Sequence, residues 1–180
     1  AKWWAGSKAP VYVQYDNYSV EADMRRHEGS TSDYGLVFDQ VDWVNFYFFA
    51  MDPGSRRYFV AKVENGTPLI IVPWTDATAI NPDNQVNHLK VERIGTELAV
   101  YANGHHLTTA TNSGFGGVSG IGLYMESDAD APASVRYDNF EAWRLETGQV
   151  QTVMEGLTIT ETVGTGGGSC EATSDWCNDG

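Results

Sequence analysis

Basic residues are in short supply in this chain. Its 180 residues include 11 Lys and Arg against 24 Asp and Glu, for a formal charge of -13. A surface of that sign repels phosphate backbones and anionic lipid, which excludes nucleic acid as a partner. The pairs Arg25-Arg26 and Arg56-Arg57 are too small to change this. Long apolar runs are missing too: none approaches the roughly 20 residues that span a bilayer, so no membrane insertion is expected. Glycine motifs for phosphate or dinucleotide binding are absent. Cysteine is limited to Cys170 and Cys177, both in the closing stretch SCEATSDWCNDG. Two cysteines alone cannot supply the four ligands of a structural zinc site. The histidines add nothing: His105 and His106 are adjacent, so on a strand they project to opposite faces, and His27 and His88 have no obvious partner. A close cysteine pair in a Gly-rich, acidic tail reads instead as a disulfide loop and points to a secreted or cell-surface protein. The opening AKWWAGSKAP reads as the start of a mature or trimmed chain.

Helical signal is also scarce. TDATAINPDNQVNH carries too much Pro, Asn and Asp for more than a turn of helix. What fills the chain is alternation. In YSVEADM, Tyr18, Val20, Ala22 and Met24 point one way and Ser19, Glu21 and Asp23 the other. DYGLVFD, VNFYFFAM, RYFVAKV, PLIIVPW, HHLTTAT, GIGLYMES and SVRYDNFEAWRL follow the same habit, and HLKVERI and ELAVYANG face each other across Gly95 and Thr96 as a hairpin. With 7 Phe, 6 Trp and 9 Tyr, the composition also favours sheet. About ten strands predict an all-β fold, two packed antiparallel sheets forming a jelly-roll type sandwich. Residues 1–145 read as that domain. Residues 146–180 read as an extension with one weak strand, LTITETV, then the linker GTGGGS and the Cys170/Cys177 loop. That strand stays within its own chain or is donated to a neighbour.

The stretch QYDNYSVEAD near the start is echoed by RYDNFEAW near the end of the domain. If the first and last strands are neighbours, Tyr18 and Phe140 share a core layer. Tyr15, Asp16 and Asn17, with Tyr137, Asp138 and Asn139, then shape the strand starts. Trp143 and Leu145 fall on the opposite parity to Phe140, which calls for a bulge or a strand with two apolar faces.

The hairpin NHLKVERIGTELAVYANGHHL, the strand GIGLYMES and the closing VRYDNFEAW resemble the concanavalin A-like, laminin-G-like sandwich family over roughly residues 10–145. The elements concerned are Tyr101, Asn103 and Gly104; Gly120 to Tyr124; Asp138, Asn139 and Phe140; and the pair Trp74 and Thr75 that closes a strand-turn-strand. The layout is closest to the branch holding 3-keto-disaccharide hydrolase-like domains and non-catalytic sugar-binding modules. The resemblance implies a structural calcium ion held by Asp138, with Asp16 and backbone oxygens as helpers. Independently, the alternate carboxylates Glu126, Asp128 and Asp130 form a second candidate calcium loop.

Retaining glycanases of this family carry two carboxylates on one strand in a pattern like Glu-x-Asp-x-(x)-Glu. Here Glu21, Asp23 and Glu28 come nearest, but Arg25 and Arg26 stand where the second Glu belongs, so no catalytic set is assigned. Sugar binding needs aromatic faces with polar groups around them. VNFYFFAM is apolar on both faces, which suggests a second, aromatic-lined surface. The candidates are Tyr47, Phe49, Tyr58 and Tyr101, with Trp74 at a strand end and Trp43 at a rim. Two Asn-x-Ser/Thr matches occur, at Asn17 and Asn65. The reading is a non-catalytic carbohydrate-binding module whose partner is a glycan or cell-surface polysaccharide. A subunit of a surface assembly and a 3-keto-disaccharide hydrolase-like enzyme stand as alternatives.

Overall fold

The computed structural model describes residues 2–13, 17–28, 32–115, 119–128, 134–146, 149–152 and 161–162. Among them no helix forms. The strands are β1 (Lys2–Val13), β2 (Asn17–Glu28), β3 (Ser32–Asp42), β4 (Asn45–Asp52), β5 (Arg57–Glu64), β6 (Thr67–Asp76), β7 (Asn87–Ile94), β8 (Glu97–Ala102), β9 (His105–Thr111), β10 (Ser119–Asp128), β11 (Ser134–Glu146), β12 (Gln149–Thr152) and β13 (Glu161–Thr162). They make two antiparallel sheets. The first runs β1-β10-β3-β4-β5-β6, and the second β12-β11-β2-β7-β8-β9, with β13 also on β11. The chain is an all-β, two-sheet sandwich of jelly-roll type. The opening AKWWAGSKAP, which carries no alternation, lies largely within β1 and pairs with β10.

The inner layer follows the alternation of β2. Tyr18, Val20, Ala22 and Met24 are all buried between the sheets. Each large apolar side chain so placed contributes about 1.5–3 kcal/mol over leaving it in water. β11 lies beside β2, and Tyr18 and Phe140 belong to one buried cluster. The two aromatics of the echo thus share a core layer, but its second copy does not shape a strand start. Tyr137 is a buried core residue inside β11, and the register slips between Asp138 and Glu141. Asn139 sits there at φ 50, in a left-handed conformation that Asn tolerates. The extra residue moves the inward parity from Val135 and Tyr137 to Phe140 and Ala142, and it turns Trp143 to the outer face.

β4 has two apolar faces, as expected. Tyr47, Phe49 and Met51 enter the core between the sheets. Phe46, Phe48 and Ala50 form a second cluster on the outer face of the first sheet, with Val37, Ala61 and Tyr124. Phe48 stacks on Tyr124 at 4.8 Å and meets Phe59 edge-on at 5.2 Å, and Phe59 packs on Trp74 at 4.5 Å. Between Phe48 and Tyr124 the strand β3 offers Gly35, where any side chain would collide with β4: a Cβ there would lie 1.8 Å from the Phe49 carbonyl oxygen. At one end of the core, Asp39 accepts from the Tyr18 hydroxyl at 2.7 Å and pairs with Arg93 Nε at 3.1 Å. Burial first, and then the Asp39 charge, push the Tyr18 hydroxyl well above its ordinary pKa.

Beyond residue 145, β12 and β13 both pair with β11 of their own chain; Arg136 faces Thr162 and Tyr137 faces Glu161. Residues 153–160 and the linker with Cys170 and Cys177 lie outside the described residues.

Candidate functional site

The outer face of the second sheet is built by the residues that alternation turns away from the core. The Gly95-Thr96 turn sets the β7–β8 register so that Lys90 lies beside Tyr101. Gly95 takes φ +55, as a two-residue hairpin turn requires. With the neighbouring registers, the positions Glu141, Glu21, Lys90, Tyr101 and His106 form one row across β11, β2, β7, β8 and β9. A parallel row carries Trp143, Ser19, Glu92, Ala99 and Thr109. A third begins Asp138, Asp23 and His88. At the usual strand spacing of about 4.8 Å, four steps from β11 to β9 make each row roughly 19 Å long.

Hydrogen bonds knit the rows together. The Tyr101 hydroxyl donates to Glu92 Oε2 at 2.7 Å, and Lys90 Nζ reaches Glu92 Oε1 at 2.6 Å. The Lys90 ammonium lies 4.7 Å from the Tyr101 ring centre, and the His106 ring meets the tyrosine edge-on at 5.3 Å. His106 Nε2 is 2.8 Å from the Thr109 hydroxyl. Burial alone would raise the Glu92 carboxyl, but hydrogen bonds from Lys90 and Tyr101 hold it below its ordinary pKa. The same carboxylate, with a smaller part from burial, pushes Tyr101 up to about 12. One row away, His88 Nδ1 is 2.9 Å from Asp23 Oδ1, and His88 Nε2 is 3.7 Å from Glu21 Oε2. Glu21 and then Asp23 favour the protonated ring, and His88 is pushed up to about 8 against the effect of burial. Asn139 Nδ2 donates to Asp23 Oδ2 at 2.7 Å, which ties the β11 bulge into the same network.

The sequence candidates separate. Tyr101 stands at the centre of this face, half-buried. Tyr47, Phe49 and Tyr58 are buried core residues: their parity on β4 and β5 points between the sheets, not toward an aromatic-lined groove. The outward aromatics of those strands are Phe46, Phe48 and Phe59. Trp74 is exposed on the opposite side of the sandwich, with Arg57 at 5.4 Å from its ring. Trp43 is exposed at the β3–β4 turn.

Glu21 and Asp23 do share one face of β2, while Arg26 is buried and reaches Asp52 at 3.5 Å. His88, which offered no partner in the sequence, is held by both carboxylates. Asp138 is exposed, beside Asp23. Glu126 lies on the first sheet and accepts from the Tyr124 hydroxyl at 2.5 Å; Asp128 ends β10. Asp16 and Asp130 lie outside the described residues. Among the described residues no three His, Cys, Asp or Glu converge as a metal site.

Sequence reasoning missed Lys90, Glu92, His106 and Trp143. The first two were within reach, because a two-residue turn at Gly95-Thr96 fixes Lys90 opposite Tyr101. Trp143 was not, because its face depends on where the β11 bulge falls.

No family model matches the chain, and no curated protein matches it. Solved structures do. A carbohydrate binding module, CBM66, from Bacillus subtilis superposes with TM-score 0.58 at 20% identity, covering 77% of this chain and 94% of that one. Sheep galectin-11 in complex with glycerol gives 0.53 at 12%, covering 73% and 96%. A family 16 endo-glucanase from Bacteroides ovatus gives 0.53 at 10%, covering 69% and 66%. The chain thus shares its jelly-roll sandwich fold with these three proteins. The likeness is one of fold and singles out no concanavalin A-like or laminin-G-like subfamily. Among the described residues no helix is long and apolar enough to cross a membrane.

Proposed function

We propose that this chain is a non-catalytic, secreted or surface-located module that binds carbohydrate on the outer face of its second sheet, at Tyr101 with Lys90, Glu92 and His106. The observation that carries the reading is Tyr101 itself: a half-buried ring whose hydroxyl is anchored by Glu92, with the Lys90 ammonium over the ring and the His106 ring meeting it edge-on. A sugar presents an apolar ring face bordered by hydroxyls, and this arrangement answers both. Side chains already fixed by one another lose little freedom on binding, so more of the contact energy remains as affinity. The branch of sugar-binding modules that the sequence resembles fits the same reading. The shared fold of a carbohydrate binding module and a galectin is compatible with it. Calcium remains part of the proposal, with Asp16 and Asp138 as one site and Glu126, Asp128 and Asp130 as the other.

A glycan array read with and without a calcium chelator, followed by titration of the best ligand, tests this. Tyr101→Ala is expected to weaken binding by roughly tenfold or more, a loss of at least about 1.4 kcal/mol. Trp74→Ala, on the opposite face, is expected to leave binding unchanged. Absence of binding to any glycan would end the reading.

A second reading rests on Glu21 and Asp23, two carboxylates on one outer face of β2. They would serve a glycoside hydrolase of the 3-keto-disaccharide hydrolase-like type. Turnover of a 3-keto-glycoside, abolished by Glu21→Gln, would establish it in place of simple binding. The pairing of Glu161 and Thr162 with the chain's own β11 speaks against a subunit that donates its C-terminal strand.

A further inference from the structure

The geometry points to a ligand class: the glycan held at Tyr101 is uncharged, and uronic-acid and sulfated glycans are rejected because the face's own carboxylates already occupy the cations beside the ring. This rests on the carbohydrate-binding reading and narrows it.

Lys90 and His88 on β7 are both engaged by carboxylates, while the His106 ring beside Tyr101 is held by the Thr109 hydroxyl. Lys90 reaches Glu92 at 2.6 Å, with its ammonium over the tyrosine ring. His88 is bonded to Asp23 at 2.9 Å and has Glu21 at 3.7 Å. Further along the rows toward β11, like charges face each other: Glu141 opposite Glu21, and Asp138 opposite Asp23. Directly opposed like charges in a sheet are mutually unfavourable, so these pairs oppose any added negative charge. Arg25 and Arg136 also face outward, but they lie opposite one another at the far end of β2, away from Tyr101, where Arg136 meets His27 Nε2 at 2.7 Å.

An incoming uronate or sulfate would have to share Lys90 with Glu92 or His88 with Asp23 and Glu21, which sets its charge against theirs. Either arrangement crowds like charges around one cation, a form of discrimination by repulsion. Sugar hydroxyls meet the opposite situation. They donate to carboxylates that still have acceptor capacity and require no cation.

The test compares the intact protein's binding to two groups of polysaccharides. The neutral group is a mannan, a mixed-linkage β-glucan, a galactan and a fructan. The anionic group is polygalacturonate, alginate and a sulfated galactan. Binding to a neutral polymer that falls with Tyr101→Ala and changes little as salt rises from about 0.05 to 0.5 M is the expected result. Glu92→Gln releases Lys90, and it is expected to bring measurable, salt-sensitive binding of polygalacturonate where the parent shows none. Tyr101-dependent binding of an anionic polymer by the parent protein would overturn the inference and leave the binding reading intact. Glu92→Gln that still ignores every anionic polymer would overturn the assigned cause of the rejection. Failure to bind either group would remove the carbohydrate reading itself.

Discussion

Among single residues, His88 and Gly35 make the sharpest demands. His88 is raised from the ordinary histidine value of 6.5 to about 8 in the folded chain. A group whose pKa is raised by folding stabilises the fold fully below its unfolded pKa, and that contribution is lost as pH rises through the folded value. The fold is therefore expected to be more stable relative to a His88→Gln variant at pH 6 than at pH 9. The difference should close mainly between about 6.5 and 8. Thermal melts of both proteins across that range check the sign. Because His88 is partly exposed, solvent screening keeps the effect modest. Gly35 is different in kind, because its side of β3 faces backbone. A methyl group there would overlap the Phe49 carbonyl, so Gly35→Ala is expected to cost at least the roughly 1–3 kcal/mol of an overpacked core, read as a lower urea midpoint.

At the scale of strands, β4 separates what is legible in the sequence from what is not. Its two apolar faces were evident, and so was the need for both to be covered. Which parity turns inward was not, since Phe46 and Phe48 are chemically interchangeable with Tyr47 and Phe49. The register against β3 decides it, pairing Phe49 with Leu36 and Tyr47 with Phe38. Tyr47 is then held at its tip, where its hydroxyl donates to Asn112 Oδ1 at 2.6 Å. Phe49→Ala is accordingly expected to cost about 3–5 kcal/mol of stability in a denaturant titration, as for a large aromatic removed from a core. Any loss of ligand binding should follow from that unfolding. The hairpin of β7 and β8 is the opposite case. Two residues of turn fixed its register in advance, and with it the meeting of Lys90 and Tyr101. Gly95 holds that turn with open space around its missing side chain, so strain alone sets the effect of replacing it. Gly95→Ala is expected to cost about 1 kcal/mol, and Gly95→Asn less. Chemical denaturation of the two variants side by side measures the difference.

For the molecule as a whole, the two outer faces divide the chemistry. The first sheet carries an aromatic ladder from Tyr124 through Phe48 and Phe59 to Trp74. The second carries hydrogen-bonded rows of charged and hydroxyl side chains around Tyr101. Only adjacency of strands distant in the chain assembles those rows: β2, β7 and β11 are separated by tens of residues, and their registers follow from core packing, not from any local motif. That is why Glu21, Asp23 and His88 were visible one by one while their cluster was not. The central claim is that the polar face, and not the aromatic one, is where a glycan sits. The most direct measurement is an amide chemical-shift titration of the intact protein with the tightest-binding oligosaccharide. The account predicts saturable shifts concentrated in β7, β8 and β9 around Lys90, Tyr101 and His106. Shifts concentrated in β5 and β6 around Phe59 and Trp74, with the Tyr101 region unmoved, would contradict it.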